Sequence, residues 1–109
     1  MLLASASVQA APVSSHRMDY CTKSGSLLAA IIGIRDRGSP PEFAAKVIHS
    51  YGDMSPLTGP EVQQAIRIAY TSPVFLTFHQ GTPGALSMAL TNSCLNSPHP
   101  YRLLNPQSP

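Results

Sequence analysis

The chain has 109 residues, a formal net charge of +2 and only 11% charged side chains. That length supports one core and excludes an enzyme with separate cofactor and substrate lobes, and the charge is too small to serve as a nucleic-acid footprint. No apolar run reaches the roughly 18 residues of a membrane span, while eleven prolines and seven glycines exceed ordinary usage and need a structural explanation.

Residues 1–10 are small and apolar and end in Val8-Gln9-Ala10. Small side chains three and one positions before Ala11 fit signal-peptidase cleavage, so this stretch reads as the end of a partial signal peptide, although no Lys or Arg precedes it. An ordinary Ala/Ser-rich tail is the alternative. Residues 11–17 read as a flexible lead-in.

A helical domain is expected over residues 18–95. The first helix, over residues 18–37, would bury Cys21, Leu27, Leu28, Ile31, Ile32 and Ile34 and stop at Gly38. Gly25-Ser26 and Gly33 weaken it, and mark either a late start or a close helix contact. Ser39-Pro40-Pro41-Glu42 reads as a capping box opening a second helix over residues 40–50, with Phe43, Val47, Ile48, Ala44 and Tyr51 inward. Thr58-Gly59-Pro60-Glu61 repeats the signal for a third helix, where Val62, Ala65, Ile66, Ala69 and Tyr70 recur at helical spacing. Residues 74–78 read as an apolar connector, or a short helical extension. Thr82-Pro83 then opens a last helix to about Cys94, with Leu86, Ala89, Leu90 and Cys94 on one face. The tail, residues 96–109, holds Pro98, Pro100, Pro106 and Pro109, which forbid a continuous helix. It is expected to be extended and mobile, with docking of Tyr101, Leu103 and Leu104 as the alternative.

Cys21 and Cys94 stand at opposite ends of this body. In an oxidising compartment they are most simply one disulfide, for which chain entropy gives about 4 kcal/mol; two buried thiols are the competing reading. The histidines His16, His49, His79 and His99 have no ligand spacing, so neither a metal nor another cofactor is expected. Of five acidic residues, Asp19, Asp36, Glu42 and Glu61 have roles at helix ends, leaving Asp53 unassigned, and a paired-carboxylate mechanism is disfavoured. No Gly-x-Ser-x-Gly or Ser-x-x-Lys string occurs, and Gly81-Thr82-Pro83-Gly84 lacks the Lys-Ser/Thr ending of a phosphate loop. Arg35 lies seven residues after Leu28 and fourteen after Cys21, hence at the core boundary on the same face. It is expected to pair with a carboxylate such as Glu61 or with helix-terminal carbonyls, unless Arg35, Asp36 and Arg37 form a solvated cluster. No recognition helix collects these arginines with Arg67 on one face.

Cys21, Arg35-Asp36-Arg37-Gly38-Ser39, Ile66-Arg67-Ile68-Ala69-Tyr70 with Ser72-Pro73, and the Thr82-Pro83 helix reaching Cys94 resemble an uncharacterised family of small exported bacterial proteins with a four-helix body and one cysteine near each end. The chain departs from that pattern in Ala69 before the tyrosine and in its long Pro-rich tail. The resemblance implies export and a disulfide, and no activity. The expectation is therefore an all-α, four-helix domain closed by Cys21–Cys94, with flexible tails. It would act as a non-enzymatic periplasmic or secreted binding or accessory protein with a partner in the cell envelope, without nucleic acid. Arg35, Asp36 and Tyr70 are structural or binding candidates, and Tyr51, Tyr70, Phe75 and Phe78 a contact surface. The alternative is a small enzyme or enzyme inhibitor using Arg35, Asp53 or His49, and a lipid-facing role is a third reading.

Overall fold

The computed structural model describes residues 13–82 and 84–108; the expected signal remnant lies outside them. Among the described residues the architecture is all-α, with helices α1 (Ser15–Asp36), α2 (Pro41–Ser50), α3 (Gly59–Thr71), α4 (Pro73–Leu76) and α5 (Ala85–Asn96). α4 is a single turn, so four longer helices carry the fold. None is long and apolar enough to cross a membrane.

α1 is the axis of the molecule. α5, α3 and α2 all pack on it, and α3 contacts both α2 and α4. Surrounded this way, α1 buries Leu27, Leu28, Ala29, Ile31, Ile32 and Ile34, a span apolar nearly all round, as a central helix requires. Its start comes earlier than the apolar pattern suggests, because Ser14 supplies the cap by accepting from the Arg17 amide at 3.1 Å. Gly38, at φ +86°, ends the helix in a left-handed conformation that glycine adopts without strain.

Gly25 marks a close helix contact rather than a late start. A Cβ there would sit 2.3 Å from Thr91 Oγ1 and 2.8 Å from Thr91 N, so the bare backbone lets α5 approach. The last and first helices are also joined covalently by Cys21–Cys94, with Cα atoms 5.4 Å apart.

α3 follows expectation. Thr58 and Glu61 form a reciprocal capping box, and Ala65, Ile66 and Ala69 are buried with Val62 and Tyr70 partly so. α2 does not start as expected. Pro40, not Ser39, is the N-cap and makes no side-chain cap bond. Pro41 disfavours helical backbone at the residue before it, so the helix opens one position later and Ser39 and Glu42 lose capping register. Of the residues expected inward, Ala44 and Ile48 are at the core and Val47 partly so, whereas Phe43 and Tyr51 are 50% and 58% exposed. α5 likewise begins after Gly84, which is the N-cap at φ +83°, rather than at Thr82-Pro83. On it Leu90 is buried, Leu86 and Cys94 are partly so, and Ala89 faces out.

Prolines keep residues 97–108 from forming a helix, yet this segment folds back through turns instead of trailing away. Leu104 is 3% exposed, and the Tyr101 ring meets Tyr20 edge-on with centroids 4.7 Å apart. A turn bond from the Asn105 amide to the Tyr101 carbonyl brings these two apolar side chains to the same side. Leu103 stays 46% exposed.

Candidate functional site: an apolar cleft beside the disulfide

The disulfide fixes the C-terminal end of α5 against the N-terminal part of α1, and α4 and the C-terminal segment close the two remaining sides. Between these four pieces lies a cleft of about 340 Å³, within the range of small-molecule sites. Leu28 and Tyr20 of α1, Phe75 of α4, Phe78, Leu90 of α5 and Leu104 form its apolar walls. Two of the four aromatics expected at a contact surface, Phe75 and Phe78, therefore face this space, their rings edge-to-face at 5.3 Å.

Much of the polar chemistry on the inner wall is already engaged. The Tyr20 hydroxyl donates to Glu61 Oε2 at 2.5 Å, and Glu61 Oε1 accepts from both the amide and hydroxyl of Thr58. Burial, together with the Glu61 carboxylate, holds the Tyr20 phenol far above its ordinary ionisation range. Ser24 Oγ donates to the Cys21 carbonyl at 3.2 Å, and Ser97 Oγ accepts from the His99 amide at 3.1 Å. Ser93 and His99 are exposed lining residues.

Arg35 takes the carbonyl alternative. Its guanidinium donates to the carbonyls of Ala69 at 2.6 Å and Phe75 at 2.9 Å, and also to that of Phe78. Glu61, the carboxylate expected for it, is on Tyr20 instead. With a side chain 11% exposed, Arg35 satisfies backbone acceptors around the end of α3 and the turn of α4, the wall that carries Phe75 and Phe78. Asp36 continues the same network, accepting from the Gln80 amide at 2.9 Å, His79 Nδ1 at 3.0 Å and Arg35 at 3.2 Å. Desolvation works against its ionisation, but these hydrogen bonds outweigh it and hold the carboxyl below its ordinary range. Tyr70 donates to the Ser39 carbonyl at 2.8 Å, fastening α3 to the α1–α2 turn; burial raises its phenol above the ordinary range.

His49 and Asp53 line a separate cleft of about 350 Å³ with Met54, Leu57 and Val62, and Asp53 accepts from the Ser55 amide at 2.9 Å. Arg35 does not reach that cleft, so the three residues of the enzyme alternative are not brought together. His79 sits on Asp36, not beside His49. Among the described residues no group of three His, Cys, Asp or Glu side chains is arranged to hold a metal.

Sequence reasoning missed Arg17. Its guanidinium donates to the carbonyls of Leu95 and Ser97, both at 2.6 Å, tying the end of α5 and the start of the C-terminal segment to α1. A signal was present: Arg17 lies one helical turn before Cys21, on the face that meets Cys94.

The fold and cleft together define a disulfide-stapled, all-α domain with an apolar recess. Compared with family models, curated proteins and solved structures, the chain matches none.

Proposed function

We propose that this chain is a non-enzymatic binding protein of the periplasm or secreted space, and that it binds through the cleft beside Cys21–Cys94. The observation that carries this reading is a solvent-open cleft of about 340 Å³ beside the disulfide, walled mostly by apolar and aromatic side chains, the composition of small-molecule sites. Its inner polar groups are engaged with the protein, so the recess offers surface for burial rather than a reacting group. Arg35 and Asp36 act as fasteners of its wall, and Tyr70 as a fastener of the helices behind it. The disulfide and the sequence of residues 1–10 support an oxidising, exported location. The family resemblance points the same way. A partner in the cell envelope would deliver or receive what the cleft holds, without nucleic acid.

Two measurements test this. The oxidised protein is expected to bind the neutral dye N-phenyl-1-naphthylamine saturably, one per chain, and Ser93→Trp at the cleft mouth is expected to weaken binding at least tenfold. Dye binding that never saturates, or that ignores Ser93→Trp, refutes the cleft as the site. Fractionation with mass determination of the intact chain is expected to find an exported, oxidised protein beginning at Ala11. A reduced, cytosolic, full-length chain refutes the location.

A further inference from the structure

We infer that the cleft selects an uncharged amphiphile: a single apolar body that enters the recess, with a neutral hydroxyl or carbonyl left at the mouth. This rests on the cleft being the binding site and goes further by naming the ligand class.

The argument begins with charge. The protein contains seven Lys and Arg and five Asp and Glu residues, yet none of them lines the cleft. Arg17 and Arg35, the cations anchored nearest its walls, direct their guanidinium groups at the backbone carbonyls of residues 95 and 97, and of residues 69, 75 and 78. A carboxylate or phosphate ligand would meet no Lys or Arg in the lining, only the single imidazole of His99 at the mouth, and an ammonium ligand would meet no carboxylate. Glu61 stands behind Tyr20, which spends its hydroxyl on it. A charged headgroup drawn toward such walls loses hydration without gaining a partner.

The second step is the placement of polar groups. Tyr20 and Ser24 donate within the protein and Ser97 Oγ accepts from the His99 amide, so the deep wall gives a ligand mainly apolar contact with Leu28, Phe75, Leu90 and Leu104. Among the described residues, the side chains of Ser93 and His99 make no hydrogen bond to the protein, and both lie at the solvent side of the lining. One hydroxyl and one imidazole together donate to and accept from a neutral polar end. Val74 and Leu103, 62% and 46% exposed, extend the apolar surface outward beside them, so a chain longer than the recess can lie along the rim.

The test compares three probes of equal chain length against the oxidised protein at pH 8: 1-decanol, decanoate and decyltrimethylammonium, each below its aggregation threshold. Backbone NMR shifts are followed at Leu28, Phe75 and Leu90. Decanol is expected to shift these residues saturably and to bind at least tenfold more tightly than either ion. Ser93→Trp is expected to weaken decanol at least tenfold, whereas Met88→Trp, on an exposed part of the same helix outside the lining, leaves it unchanged. Each introduces the only tryptophan of the chain, so fluorescence reports folding of both variants. Decanoate or decyltrimethylammonium binding within threefold of decanol in the cleft overturns the inference while leaving the cleft as the binding site. If none of the three shifts these residues, the binding reading itself fails.

Discussion

Arg35 shows what a single side chain does when carboxylates are scarce. Four of its guanidinium hydrogen bonds end on three backbone carbonyls and Asp36, so the residue supplies donors to Ala69 at the end of α3 and to Phe78 after α4, and a second donor to Phe75, whose carbonyl also accepts from the Phe78 amide. Arg35→Ala is expected to cost about 2–4 kcal/mol in denaturant unfolding, since it removes the guanidinium donor from the part-buried Ala69 and Phe78 carbonyls together and strips a second donor from Phe75. Arg35→Lys should recover only part, because an ammonium cannot reach the same spread of acceptors. Tyr20 gives a pH signature. Its phenol is raised in the folded state, so the stability it contributes is complete below the ordinary tyrosine value near 10 and declines as pH rises above it, where the unfolded chain ionises first. Absorbance titration is expected to show Tyr20 ionising only as the protein unfolds, and Tyr20→Phe to flatten the alkaline fall in stability. Asp36 works at the other limb. Its lowered carboxyl gives stability that is present above about pH 4 and is lost as pH falls through the folded value; Asp36→Asn is expected to make acid unfolding less steep.

At the scale of elements, glycine placement separates close packing from mere tolerance. Gly25→Ala would press a methyl group on the Thr91 backbone amide, forcing α5 outward, and is expected to destabilise by about 1–3 kcal/mol despite better helix propensity. At Gly33 the three atoms nearest an added Cβ all belong to the movable end of Gln80, so Gly33→Ala should lie within about 1 kcal/mol of the parent, the propensity gain offsetting disturbance of the bond from Gln80 to the Ala29 carbonyl. Urea unfolding of the two variants side by side checks the contrast. The same scale explains what the residues revealed in advance. α3 was readable because its cap and its apolar spacing agree on one register. α2 was misread because two consecutive prolines offer two starts, and only the backbone restriction that the second imposes on the first decides between them. The cleft was not legible, since it depends on residues 97–104 returning to α1, and nothing local in a proline-rich segment announces that return. Arg35 was placed correctly at the core boundary by its spacing, but its acceptors belong to elements 34 to 43 residues away.

For the whole molecule, the disulfide spans 73 positions and connects the first and last helices of a small core. Reduction, or replacement of Cys21 and Cys94 together by serine, is expected to remove about 4 kcal/mol on the chain-entropy account, a large share of the stability of a domain this size. Denaturant curves with and without reductant measure it directly. The cleft should weaken in parallel, because Cys94 is part of its wall and the neighbouring segment is held through Leu95 and Ser97. The pairing of α1 with α5 also sets an order of events in synthesis. α1 is made well before α5, so the part of its apolar surface that α5 covers stays open after α2 and α3 have been made. Contacts this distant in sequence form late. The α1–α5 half of the core is thus the last to close, and the disulfide between Cys21 and Cys94 locks that final step.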